Sequence, residues 1–249
     1  MDQQTKAALK QNDQFVATTE HGIEWAKSNR QSVVLTTGIL FVIIVAIVAG
    51  SVIYNKRSDA ASIAYGSAMQ VYQTAVATPG AQVPAGVKTF SSVVERAKAS
   101  SAAFQSCADT YSMVPAGKVC RYFAGLTYLE AEQPTQAEQQ LKQVADGWNG
   151  DLAALAKLSL ASLYHQTNRD AQAVTLYNEL DAKPTATVPA GLAKLQLAAL
   201  YASEGKDADA KKIYAQLKDK DAKGAAGTIA AQKLNPQAAA AQMAAPTAQ

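Results

Sequence analysis

GLTYLEAEQPTQAEQQL at residues 125–141 returns as ASLYHQTNRDAQAVTLY at 161–177 and as AALYASEGKDADAKKIY at 198–214. A small residue opens each copy (Gly125, Ala161, Ala198), and a tyrosine follows three positions later (Tyr128, Tyr164, Tyr201). An alanine comes nine residues after each tyrosine (Ala137, Ala173, Ala210), with a bulky apolar side chain four further on (Leu141, Tyr177, Tyr214). The columns recur at steps of 36 and 37 residues. Spacings of three and four are helical, so each copy reads as two helices joined by a polar turn. The small residue lets the first helix approach the second closely, while the tyrosine and the bulky residue fill the space where the pair opens out. Each pair leaves apolar surface that only a neighbouring pair can bury, so at least three units and a terminal cap are expected.

The pattern matches the tetratricopeptide (TPR) helix-turn-helix repeat, whose period is about 34 residues. The expected fold class is all-α: a single N-terminal transmembrane helix followed by a TPR-like α-solenoid of helical hairpins. An unrelated antiparallel bundle with chance spacing is the competing reading. Hydrophobic residues make up 49% of the 249, enough for a sizeable core, while only 7% are aromatic, which suits helices packed through small residues. The net charge of +3 is spread over 23 basic and 20 acidic residues without a basic run, so nucleic-acid binding is not indicated.

Residues 33–54, VVLTTGILFVIIVAIVAGSVIY, form a charge-free run of 22 residues. At about 1.5 Å per residue this spans a hydrocarbon core of about 30 Å, and it is read as a transmembrane helix. A cleaved signal peptide is disfavoured, because it requires a shorter apolar region, 32 residues precede this run, and Ala46-Ile-Val-Ala49 lacks the A-x-A pattern of a cleavage site. Within the run, Ala46 and Gly50 form a small-xxx-small pair through which two such helices can approach. Lys27 and Arg30 before the run balance Lys56 and Arg57 after it, so the charge bias leaves the orientation tied.

The remaining chain divides in order. Residues 1–32 form a short polar, electrically neutral segment, and an uncleaved anchor with a large domain behind it fits a cytoplasmic amino end. Within it, residues 15–25 are either an interfacial helix or a disordered tail, with Trp25 near the start of the apolar run. The TPR-like domain occupies 57–234. It opens with a divergent pair, helices over 59–77 and 87–111 separated by a Pro/Gly loop at 77–86. Regular pairs follow over 117–147, 151–181 and 188–219, with a closing helix over 222–234. Residues 235–249, rich in alanine and glutamine, are expected to be disordered.

A polar N-terminus with a Phe and a Trp, one anchor, the helix SIAYGSAMQVYQTAV and alanine-rich pairs such as RYFAGLTYLEAEQPTQAEQQL together resemble the bacterial ancillary Sec translocon subunit family of YfgM type. The TPR domain of that family is grouped with that of the cell-division coordinator. The resemblance covers residues 12–234 and rests on architecture, with no invariant catalytic motif. It implies a bacterial inner-membrane protein crossing the membrane once, with a cytoplasmic N-terminus and a periplasmic TPR domain. It further implies association with Sec translocon subunits, periplasmic chaperones or secreted clients. The expected function is a membrane-anchored TPR adaptor that binds proteins at the periplasmic side of the translocon without catalysis. The alternative is a self-associating envelope scaffold for cell division or cell-wall assembly.

TPR geometry would place on the inner wall Tyr122, Leu126, Leu129 and Glu130, then Leu158, Ser162, His165 and Gln166, then Leu195, Ala199 and Ala202. A wall this apolar suits an extended or helical protein segment held by shape rather than a carboxylate clamp. The competing reading is that some of these are core residues, or are covered by the chain's own terminal helix. Cys107 and Cys120 lie 13 apart, at the end of one helix and the start of the next. They either pair, closing a loop worth about 3 kcal/mol in the chain-entropy model, or sit as two buried thiols, the preferred reading of the two. No metal site is expected from His21 and His165, which lie far apart in the chain, and no cofactor fingerprint is present. The acids Glu130, Glu132 and Glu138 read as a solvated helix face rather than a catalytic pair.

Overall fold

The computed structural model describes Trp25, residues 27–77, Gly86 and residues 88–236. The described residues are almost wholly helical: α1 (Arg30–Tyr72), α2 (Val93–Thr110), α3 (Pro115–Glu130), α4 (Pro134–Ala145), α5 (Gly150–Gln166), α6 (Asp170–Ala182), α7 (Ala190–Ser203), α8 (Asp207–Lys220) and α9 (Ala225–Leu234). They fall into two compact units, residues 1–56 and 57–249.

The first unit contains the apolar stretch of α1. Leu35, Phe41, Ile47 and Val48 of this stretch are all more than half exposed among the described residues. Its hydroxyls turn back onto the helix's own carbonyls, Thr36 onto Ser32 at 2.8 Å and Ser51 onto Val48 at 2.8 Å. Self-satisfied hydroxyls suit surroundings without water. α1 is long and apolar enough to cross a membrane. The proposed helix over 15–25 lies outside the described residues apart from Trp25, and so does His21.

The second unit starts at Arg57. Ala61 and Ala68 are buried where the C-terminal part of α1 meets α2, and small side chains there permit close approach. Phe104 of α2 is fully buried among aromatic rings, 6.1 Å from Tyr65, 6.5 Å from Tyr72 and 5.3 Å from Phe123. The second helix, expected from residue 87, begins only at Val93. Ser92 accepts a hydrogen bond from the Glu95 backbone N–H at 3.1 Å, and Glu95 in turn accepts from the Ser91 N–H at 2.9 Å. This near-capping box stops the helix from starting earlier. Phe90 is thereby freed to bridge the chain at 75–77, its N–H bonding the Ala75 carbonyl at 3.0 Å. Most of the expected loop at 77–86, and most of the tail at 235–249, fall outside the described residues.

Each helix from α2 to α8 packs on its successor, giving the hairpins α3/α4, α5/α6 and α7/α8 with α9 against the last. The columns of small residues are where the helices touch. Ala137, Ala161, Ala173 and Ala198 are fully buried, as is Leu141. A Cβ built on Gly125 would lie 2.6 Å from Leu141 Cγ, so any larger residue at that crossing would force the Leu141 side chain to shift. One cluster, holding Leu141, Leu160, Leu163, Tyr164 and Tyr177, fuses α4 to α7 into a common core. Another seats Tyr214 and Leu217 against Ala230 of α9.

The turns inside the three hairpins share one backbone form. The residue four past each column tyrosine is left-handed: Glu132 (φ 60°), Asn168 (φ 57°) and Gly205 (φ 75°). The next N–H bonds back to the tyrosine carbonyl, from Gln133 to Tyr128 at 2.9 Å, Arg169 to Tyr164 at 2.7 Å and Lys206 to Tyr201 at 2.8 Å. This is the Schellman closure, in which a left-handed residue lets the chain satisfy carbonyls the helix leaves free. In two hairpins the cation that closes the turn then lies on the tyrosine ring it bonds behind, Arg169 at 4.4 Å and Lys206 at 5.6 Å. The tyrosine column therefore serves the turn as well as the core.

Cys107 and Cys120 form a disulfide, which corrects the preference for buried thiols. The reason is topological: α2 ends and α3 begins side by side, bringing the two Cα atoms to 5.9 Å, within bonding reach. Arg121, next to Cys120, secures the same corner, bonding Gln140 of α4 at 2.9 Å and Asp109 of α2 at 3.0 Å.

Candidate protein-binding surface

The wall read from the sequence lies on α3, α5 and α7, the first helix of each hairpin. Two side-chain bonds tie these helices to one another: Tyr122 Oη and Ser159 Oγ at 3.4 Å, then Ser203 Oγ and His165 Nε2 at 3.1 Å. The three helices thus make one row. Leu126 and Ser162 are half-buried along it, while Gln166, Ala199 and Ala202 are exposed. Leu158 and Leu129 pack against the common core, and Leu195 against the cluster beneath α9.

Two residues of the expected wall have other occupations. Glu130 faces the leading pair, accepting the Tyr72 hydroxyl at 2.8 Å and lying 3.8 Å from the Arg96 guanidinium. Arg96 also covers the Tyr72 ring at 5.3 Å. The bond to Glu130, with burial second, pushes the Tyr72 phenol upward. Glu130 therefore joins hairpins rather than offering charge to a ligand.

His165 is the second case, with Nδ1 2.6 Å from Asp170 Oδ1 and Nε2 on Ser203. Ser203, His165 and Asp170 share the connectivity of a hydrolytic triad. Two features point to cohesion instead. The Ser203 hydroxyl donates to the Leu200 carbonyl at 2.7 Å. Ser203 also ends α7, where carbonyl dipoles oppose the negative charge an acyl transfer develops. The cluster pins the α5/α6 turn to the end of α7.

The acids expected on a solvated face divide. Glu132 is exposed, but Glu138 is mostly covered and accepts from Arg169 at 2.8 Å, Lys142 at 2.7 Å and Tyr164 at 3.2 Å. The Arg169 contact, opposed by burial and aided by Lys142, lowers its carboxyl to about 2. A salt bridge across hairpins was invisible in the sequence, because Glu138 and Arg169 are 31 positions apart.

A groove of about 630 Å³ lies beside α7, α8 and α9, with an apolar lining that includes Leu192, Leu195, Leu217, Ala226 and Ile229. Gly191 permits it to form as it does, since a Cβ there would meet the Ala226 Cβ at 2.7 Å. Of the wall residues, only Leu195 reaches this groove. Among the described residues no cluster of three or more His, Cys, Asp or Glu has a metal-holding arrangement.

Comparison with known proteins finds no matching family model, no similar curated protein and no similar solved structure. The geometry and the residues carry the functional reading.

Proposed function

We propose that the chain is a membrane-anchored adaptor, its helical pairs forming a TPR-like α-solenoid that holds segments of other proteins, without catalysis, in the manner of the ancillary Sec translocon subunit family of YfgM type. On this reading α1 crosses the bacterial inner membrane once, from a cytoplasmic N-terminus, and the hairpins stand in the periplasm with Sec subunits, chaperones or emerging secreted chains as partners. The observation that carries it is the row of first helices, tied side by side by Tyr122–Ser159 and His165–Ser203 while leaving Leu126, Ser162, Gln166 and Ala199 partly or fully open. A row of apolar and small side chains with few charges suits a segment held by shape. The Cys107–Cys120 disulfide supports an oxidising compartment for this unit.

Photo-crosslinkers at Leu126, Gln166 and Ala199, in cells actively translocating, should trap Sec subunits, chaperones or nascent chains. Silence at all three, with a control position on α8 equally silent, sinks the adaptor reading. A reporter fused after residue 249 that is active only in the cytoplasm would remove the periplasmic assignment. The scaffold alternative draws on Gly50, around whose Cβ position nothing lies within 4 Å, leaving the small face of α1 open. A stable client-free oligomer in detergent that disappears with Gly50→Leu would favour that alternative.

A further inference from the structure

Two large side chains stand exposed at neighbouring corners of the hairpin unit: Met113, in the turn between α2 and α3, and Trp148, between α4 and α5, each 81% accessible. Large apolar side chains exposed together along one edge, rimmed by polar groups, mark a surface that meets a partner or a membrane. The two corners share an edge. A cleft of about 210 Å³ is lined by Ser112 and Lys118 from the first corner and Gly147 and Asn149 from the second. Lys118 reaches across to place its ammonium 4.4 Å from the Trp148 ring. The third corner adjoins them, Thr187 bonding the Asp151 carbonyl at 2.8 Å.

The position of this edge along the chain says what covers it. Arg57 donates to the Thr110 carbonyl at 3.1 Å, three residues before Met113. Arg57 itself follows Tyr54, the last residue of the apolar run, by three residues. Three residues reach no further than about 10 Å in any conformation, so covalent connection holds the Thr110 corner close to where the run ends. We propose that the edge bearing Met113 and Trp148 rests in the lipid headgroup layer of the membrane that holds this run. The inference rests on the anchor reading. Tryptophan is the side chain most favoured at that depth, and the ammonium of Lys118 keeps its place in water while the ring it covers meets lipid. Charge is mixed along the edge: Asp109 is neutralised by Arg121 at 3.0 Å, but Asp146 and Asp151 are exposed. Contact therefore depends on insertion of apolar side chains and should persist in high salt.

The full chain carries two tryptophans, so the Trp25→Phe variant reports on Trp148 alone. It would be reconstituted into vesicles of phosphatidylethanolamine with phosphatidylglycerol, with acyl chains brominated near the headgroup in a parallel set. Blue-shifted emission, loss of intensity in the brominated set and little change at high salt are expected. Water-like emission without quenching, in protein that still resists alkaline extraction, overturns the inference and leaves the anchor standing. Extraction by alkali overturns both. Quenching absent in vesicles but emission shifted on adding Sec translocon subunits or periplasmic chaperones assigns the edge to a protein and overturns the inference as well. Met113→Asp should weaken the quenching of Trp148 while leaving the helical signal unchanged, and unaltered quenching in that variant counts against the shared edge.

Discussion

Glu138 shows how a single side chain couples two hairpins. Its carboxyl is lowered to about 2, first by Arg169, so the folded chain favours the charged form more than the unfolded chain does. The stabilisation is fully present above the ordinary carboxylate value and is lost as pH falls from there through about 2. Acid titration of unfolding should therefore show a slope in that window that is reduced in Glu138→Gln. An unchanged slope would assign the acid sensitivity elsewhere. Gly125 is the second decisive residue. With its missing Cβ only 2.6 Å from Leu141 Cγ, Gly125→Ala should destabilise by about 1–3 kcal/mol in denaturant, an overpacking cost.

The hairpin turn is the element that repeats most faithfully. Glu132, Asn168 and Gly205 take the same left-handed conformation, but only glycine does so without a steric cost. Gly205→Ala should cost about 1 kcal/mol, and Glu132→Gly should cost much less or stabilise slightly, both read from chemical denaturation. The equivalence of these positions was obscured in the sequence, because three different residue types fill them and Glu132, unlike Gly205 or Asn168, does not announce a left-handed turn. The α2/α3 corner has its own constraint. Removing the disulfide with Cys107→Ser and Cys120→Ser should lower stability by about 3 kcal/mol, the loop-closure value for a bridge of this span, measured with and without reductant.

Across the whole molecule, cohesion passes from neighbour to neighbour. α9 buries Tyr214 and Leu217 through Ala230, and nothing described beyond it shares that task. Loss of residues 222–236 should therefore lower hydrogen-exchange protection in α7 and α8 while α2 and α3 keep theirs, as nearest-neighbour stability predicts. Uniform loss along the chain would show instead that the hairpins fold as one cooperative block.

Periodicity made the helices legible. The columns at Gly125, Tyr128, Ala137 and Leu141 state which side chains meet within a hairpin, because a helix puts residues three and four apart on one face. The apolar run at 33–54 was equally plain, since length and lack of charge are local properties. Tertiary structure decided what depends on residues far apart in the chain. It joined Cys107 to Cys120, turned Glu130 toward Tyr72 and Arg96, set Arg169 on Glu138 and bound His165 to Ser203. Periodicity assigns a side chain to a face, and packing chooses its partner there, because long polar side chains reach whichever neighbouring helix offers them a hydrogen bond.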